Sequence, residues 1–349
     1  MFSLRFDMRA PSFGAPPGEL YQAALDVCGW AEDHGCLAAV VCEHHASPDG
    51  YLPTPLILTS AIAARTRSMA INAVVILPLY DPVRLAEEIA VVDIISRGRT
   101  SFTLGLGYRP EEYEHFGKNV RHRGRLADEN VALVRQLLAG QVVERDDRRI
   151  RVTPSPFTPG GPMMMWGGGS LAAARRAGRY GLSLLAQGTV PGMQEEYERS
   201  CRQHGHEPGM TLLPPRDTPS VCFVADDLEQ AWQELGPYLL HDARSYAEWN
   251  PENTTSAGIT SALTVDELRR TSRSHRIFTV PEAAAMVAAG EMLNLSPLCG
   301  GLPPDQAWPY LKRVAEQVIP QTAATEAVRQ GPDLGGALST MTSRPTGEK

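Results

Sequence analysis

Apolar and polar positions follow two rhythms along the chain. Phe2–Met8 alternates with a period of two and predicts a strand. Leu37–Cys42, Met69–Leu77 and Thr100–Leu106 are short, nearly continuous apolar runs, and similar runs recur at Met163–Trp166, Leu182–Ala186, Ser220–Ala225 and Glu291–Leu295. Between them the spacing turns helical. Helices are predicted near Glu19–Gly35, Pro55–Arg65, Pro82–Ser96, Gly124–Ala139, Ser170–Arg179, Gly192–His204, Asp227–Leu240, Pro281–Ala289 and Asp305–Val318. Proline at the start and Arg97-Gly98 at the end frame the third of these.

Strands that are apolar throughout are covered on both faces, which implies a parallel sheet. Eight strand–helix units match a closed barrel, whereas an open doubly wound sheet usually has about five or six strands. The predicted fold class is α/β, a (β/α)8 TIM barrel with insertions. Gln141–Val152 predicts a small hairpin before the fifth strand. Ser245–Arg276 reads as a long polar insertion between the seventh strand and its packing helix, Pro281–Ala289. Residues 1–320 form the barrel in this reading. Residues 321–349 are rich in Gly, Ser, Thr and Pro and read as a flexible tail.

Composition narrows the function classes. With 43% apolar and 21% charged residues, the chain has enough apolar side chain to fold. A net charge of −7 argues against nucleic acid as a bulk partner. No apolar stretch approaches the roughly 20 residues of a membrane span, and the charged N-terminus does not read as a secretory signal. Six scattered cysteines without a CxxC pair read as reduced thiols, so a cytoplasmic location is expected.

In a barrel the site lies where strands end. After the second strand comes Glu43-His44-His45. A histidine there suits a general base, or is simply structural. A metal is not expected there, because His44 and His45 are adjacent and stand in neither HxH nor HExxH spacing. After the fourth strand, Gly105-Leu106-Gly107 allows a ligand to approach the backbone, or makes a tight turn. After the fifth, Gly167-Gly168-Gly169-Ser170 opens a helix, an arrangement whose N–H groups cradle phosphate. Arg125 either clamps that phosphate or pairs with Glu129 four residues on. Tyr246, Trp249 and His241, in or near the insertion, either cover a substrate or pack the insertion down.

These pieces, with Leu77-Pro78-Leu79-Tyr80-Asp81-Pro82, Ser96-Arg97-Gly98-Arg99 and Cys299-Gly300-Gly301-Leu302-Pro303-Pro304, occur in an order that resembles the bacterial-luciferase-like family of flavin-dependent oxidoreductases. The resemblance runs from Met1 to about Pro320. It implies a (β/α)8 barrel with a phosphorylated flavin, or a deazaflavin, across its mouth. It places the phosphate on Gly168, Gly169 and Ser170 with Arg125 as a second contact, and the ring against Gly105 and Leu106. It implies a non-prolyl cis peptide behind the ring at Ala73-Val74, and His44 as the catalytic histidine. The reactive cysteine of the luciferases is Leu106 here, and the neighbouring basic residue is Gly107. These departures argue against light emission and against luciferase-type phosphate binding at that loop, and leave oxygen activation by the flavin open.

The resemblance implies a monooxygenase that takes reduced FMN from a separate flavin reductase and uses O2 to oxygenate a small organic substrate. The alternative it leaves open is a coenzyme F-420-dependent dehydrogenase or reductase that moves hydride. A non-catalytic flavin-binding subunit is disfavoured by His44. A hydrolase is disfavoured because Glu43 is the one carboxylate immediately at a strand end. The resemblance also suggests a homodimer through Pro55–Arg65 and Pro82–Ser96.

Overall fold

The computed structural model describes residues 1–215, 217–250 and 258–323. Its strands are β1 (Phe2–Phe6), β2 (Cys36–Val41), β3 (Ala70–Ile76), β4 (Thr100–Gly105), β5 (Val143–Arg145), β6 (Arg148–Ile150), β7 (Met163–Gly167), β8 (Ser183–Leu185), β9 (Thr211–Leu212), β10 (Val221–Ala225), β11 (His275–Thr279) and β12 (Leu293–Leu295). The main sheet is parallel throughout, in the order β11-β10-β12-β1-β2-β3-β4-β7-β8-β9. Strand β12, last in the chain, hydrogen-bonds β1, the first, as a barrel requires. The fold is a (β/α)8 TIM barrel. All eight expected barrel strands are present, and β5 and β6 form the expected hairpin.

Helices α1 (Pro17–Ala31), α2 (Pro55–Arg65), α3 (Pro82–Ser96), α4 (Pro110–His115), α5 (Arg123–Leu138), α6 (Leu171–Arg179), α7 (Met193–Gln203), α8 (Leu228–Trp249), α9 (Val265–Thr271), α10 (Val280–Ala288) and α11 (Pro304–Arg313) accompany them. Local chemistry fixes several ends. The Asp81 carboxylate caps α3 by accepting from the N–H groups of Val83 and Arg84, with Pro82 at the first helical position. Thr279 and Glu282 form a reciprocal capping box on α10.

The period of two in β1 divides its side chains. Phe2, Leu4 and Phe6 are buried in the same apolar layer as Leu20, Ala24 and Val27 of α1. Ser3, Arg5 and Asp7 therefore face the barrel interior, where Ser3 Oγ donates to Asn294 Oδ1 of β12 (3.0 Å). Asn72 of β3 likewise donates to Ser101 Oγ and accepts from Thr103 Oγ1 of β4, each at 2.9 Å. The interior is thus partly polar, and the main apolar core lies between sheet and helices.

Two expectations need correction. Much of Ser245–Arg276 is regular: α8 continues to Trp249, α9 covers Val265–Thr271, and β11 begins at His275 beside β10. The apolar periodicity stops before the helix does, because its buried stripe passes from Leu235 and Leu239 to Asp242, a carboxylate whose charge is met inside the protein. Residues 251–257 of that segment lie outside the described residues, as do residues 324–349 of the expected tail. The Ala73–Val74 peptide is trans. The one cis peptide among the described residues is Thr153–Pro154. Ala73 and Val74 sit mid-strand in unbroken register with Phe102 and Thr103, and Ala73 is buried on the helix side, in the layer with Leu85 and Ile89.

Candidate active site

The C-terminal ends of β1 to β4 bring together a buried polar cluster. At its centre is His44, three residues past the last pair of β2 with β3 at Val41–Ala73, and only 7% exposed. Its Nδ1 donates to Glu112 Oε1 (2.7 Å), and the same oxygen accepts the His45 N–H (2.9 Å). Arg109 Nη1 stands 3.5 Å away and donates to the His45 carbonyl (2.8 Å). Glu112 comes from α4, a short helix that the loop after β4 inserts into the mouth.

The electrostatics define the protonation states. Burial opposes charge on Glu112, but the bonds from His44 and the His45 N–H, with Arg109 beside them, hold its carboxyl below the usual range. It is therefore an anion, and an acceptor only. Burial pushes the His44 imidazole below its ordinary value, outweighing Glu112. The neutral imidazole then carries its proton on Nδ1 and its lone pair on Nε2, 3.2 Å from the Tyr108 hydroxyl. His45 does different work. Its Nε2 donates to Glu43 Oε1 (2.8 Å), while Glu43 also accepts from Tyr80 and the Ile76 N–H, tying β2 to the end of β3.

A second layer comes from β1 and α8. Arg9 is completely buried and donates to Asp49 (2.5 Å), with Asp242 Oδ1 3.3 Å from its Nε. Asp242 also accepts from His275 (2.9 Å) and Asp49 from His241 (2.8 Å). Both carboxyls lie below the usual range, because these partners outweigh burial. Asp7 is displaced the other way, to about 6, by burial and by repulsion from Asp242. Arg5 donates to the Tyr246 hydroxyl (2.5 Å), which meets the Tyr51 hydroxyl at 2.7 Å. Trp249, the last residue of α8, lies against His44, with ring centroids 4.9 Å apart.

A strip of glycine runs from this cluster to the helix after β7. Gly105 ends β4 opposite Ile76, and a Cβ on Gly167 would come within 3.9 Å of Gly105 Cα. Gly107 takes a φ of +69° with Ile76 against it, so the loop turns tightly, while Leu106 is partly buried and its carbonyl accepts from the Tyr113 hydroxyl. At the far end, Gly168 (φ +150°) would place a Cβ 2.9 Å from that of Ala173. Ser170 caps α6 by accepting the Ala173 N–H at 3.2 Å. The remaining N–H groups of the first turn point out of the helix end, which fits a phosphate.

The structure thus joins His44 to Tyr108, Arg109 and Glu112, which the sequence reading did not single out as a unit. Arg125 is 61% exposed and pairs with Glu129 at 2.7 Å, the ordinary helical ion pair. No group of three or more potential metal-binding side chains occurs among the described residues. Likewise, no described helix is long and apolar enough to cross a membrane. All six cysteines are buried free thiols.

Comparison with known proteins agrees with this layout. Among solved structures, monooxygenase RslO1 from Streptomyces bottropensis superimposes with a TM-score of 0.73 at 21% identity, over 92% of this chain and 99% of that one. The oxygenating constituent of 3,6-diketocamphane monooxygenase from Pseudomonas putida, solved with FMN, gives 0.66 at 18% identity over 91% and 98%. These likenesses concern the fold. The oxygenase component of a flavin-dependent trigonelline monooxygenase from Acinetobacter baylyi is 29% identical over 142 residues, 40% of this chain and 39% of that protein. An alkanal monooxygenase alpha chain of Photorhabdus luminescens is 22% identical over 188 residues, 51% and 52% of the two chains. The chain spans about a third to a half of the length of the curated relatives it matches. The family model described as luciferase-like monooxygenase matches residues 5–289, and the chain belongs to that family.

Proposed function

We propose that this protein is a flavin-dependent monooxygenase that uses reduced FMN, delivered by a separate reductase, and O2 to oxygenate a small organic substrate. The observation that carries the reading is His44: a buried neutral imidazole at the barrel mouth, oriented by an ionised Glu112 and joined by a glycine-lined strip to the N-terminus of α6. Reduced FMN, when bound, supplies the electrons and the activation of oxygen. Gly168, Gly169 and Ser170 would hold its phosphate through backbone N–H groups. Gly105 and Leu106 would let the ring approach the backbone of the β4 end, with interior-facing Val74 beneath. Arg125 is proposed as a second phosphate contact, because its exposed pair with Glu129 is worth only a few tenths of a kcal/mol and is readily exchanged.

His44 accepts a proton at Nε2. Glu112 stabilises the imidazolium that results and fixes which nitrogen is free. Tyr246, Tyr51 and Trp249 exclude water from this nitrogen. A second copy of the chain is proposed as partner, because α2 and α3 present Ile57 (71% exposed), Val91, Ile94 and Ile95 to the outside.

The test is cofactor titration of the apoprotein with FMN and with coenzyme F-420, followed by O2 uptake with reduced FMN. Tighter FMN binding and O2 uptake that falls in His44→Ala, with FMN affinity unchanged, support the proposal. A clear preference for the deazaflavin, or unchanged turnover in His44→Ala, sinks it.

A further inference from the structure

Trp249 packs against the imidazole that the proposed reaction needs. Its indole lies over His44, and the guanidinium carbons of Arg9 and Arg109 stand 4.4 and 4.1 Å from its ring centroid. Tyr246 and Tyr51 complete the surround, at 5.6 and 5.8 Å. The indole thus fills the space beside His44, and the Tyr108 hydroxyl meets Nε2 at 3.2 Å.

The chemistry of that space selects its occupant. Arg9 is already neutralised by Asp49 and Asp242, and the cation is enclosed by the rings of Tyr51, Tyr246 and Trp249. A ligand cation would compete with it. Arg109 spends one nitrogen on the His45 carbonyl and faces Glu112, itself engaged by His44. An anionic ligand would meet guanidinium groups whose charges Asp7, Asp49, Asp242 and Glu112 already answer. An aliphatic chain would bury the guanidinium face without replacing the π contact that the indole now supplies. A planar aromatic ring replaces that contact in kind.

From this we infer that the substrate is a planar aromatic compound that displaces the Trp249 indole and stacks on Arg109 beside His44. The inference deepens the proposed oxygenase reading by naming its substrate class. The binding it predicts can be measured without turnover. Arg109 Nε is buried without a hydrogen-bond partner, a donor suited to an oxygen substituent on such a ring.

The experiment is calorimetric binding of naphthol, naphthoate and decanal to the FMN-saturated full chain, with FMN affinity measured separately. Naphthol is expected to bind at least about tenfold tighter than decanal, and no weaker than naphthoate. Arg109→Lys keeps the charge and loses the flat face. It should weaken naphthol about ten- to thirtyfold and leave decanal unmoved. Trp249→Leu removes the ring to be displaced and should tighten naphthol. This second variant also serves if Arg109→Lys fails to fold. Decanal binding as tightly as naphthol, naphthoate binding about tenfold tighter than naphthol, or Trp249→Leu loosening naphthol would each overturn the inference. Loss of FMN binding with naphthol selectivity intact would overturn the oxygenase reading and leave this one standing.

Discussion

Gly168→Ala tests the phosphate turn most directly. The new methyl would lie 2.9 Å from Ala173 Cβ, well inside the roughly 3.5–4.0 Å of an ordinary carbon contact. The backbone at φ +150° adds strain of about 1–3 kcal/mol for any residue with a Cβ. If α6 shifts to relieve the contact, the bond from the Ala173 N–H to Ser170 Oγ goes too, at about 1 kcal/mol. The total is about 2–4 kcal/mol of lost stability, measured by urea unfolding. Gly18→Ala is the control: nothing lies within 4 Å of a Cβ there, and stability should hold or rise slightly. Adding Ala173→Gly to Gly168→Ala removes the contact and leaves the strain, so the double-mutant cycle should show a favourable coupling of about 1 kcal/mol. The functional readout is the ratio of FMN to riboflavin affinity. The two ligands differ only in the phosphate, so displaced N–H groups should cost FMN at least about tenfold and riboflavin little. Equal losses for both ligands, or no loss for either, would refute the placement of the phosphate on this turn.

Other consequences follow from the same geometry. Glu112→Gln removes the charge that supports the His44 imidazolium, so the imidazole should titrate at still lower pH, read by NMR, and the acid limb of turnover should move the same way; an upward move would contradict the dyad. Asp7, with a native value of about 6 against 3.8 unfolded, holds its proton more tightly when folded, so its contribution is fully present below about pH 4 and is lost as pH rises through 6. Asp7→Asn should therefore gain about 1–3 kcal/mol on wild type above pH 6 and little at pH 4, and a gain at pH 4 alone would refute the assignment. Arg125→Ala should change stability by less than about 0.5 kcal/mol yet lower FMN affinity relative to riboflavin, and an unmoved ratio would remove Arg125 from the phosphate site.

The barrel was readable because its determinants are local. Apolar runs gave the eight strands, and the glycine and hydroxyl pattern at 167–170 gave the capped α6. Pro55 and Pro82 marked their helices to the residue. What escaped was held by long-range pairing. Strand β9 has two residues and carries no period of its own, while β11 is defined by its register with β10. The last turns of α8 looked like loop because Asp242 and Tyr246 are polar, although both are buried or half-buried and partnered. Glu112 was equally hidden. It lies 68 positions from His44, and nothing in the local sequence announces that the pair will meet.

The net charge of −7 takes on a more specific meaning in this fold. Around the proposed phosphate turn, Arg125, Arg175 and Arg176 are already paired with Glu129, Glu196 and Asp128, and at the mouth Arg9 answers Asp49 and Asp242. The charges of these arginines are therefore already answered where an anion would dock, and the net charge of the chain repels one. In the proposed site, affinity for a phosphate would come chiefly from oriented N–H groups, which carry no charge to be neutralised elsewhere and act only at contact, with Arg125 exchanging Glu129 for the phosphate as the one charged contribution. The same economy governs the mouth, where paired guanidinium groups retain their flat faces after their charges are met. On the proposed reading, phosphate would be recognised mainly by backbone geometry and substrate by shape and π-electron density, so neither would depend on surplus positive charge.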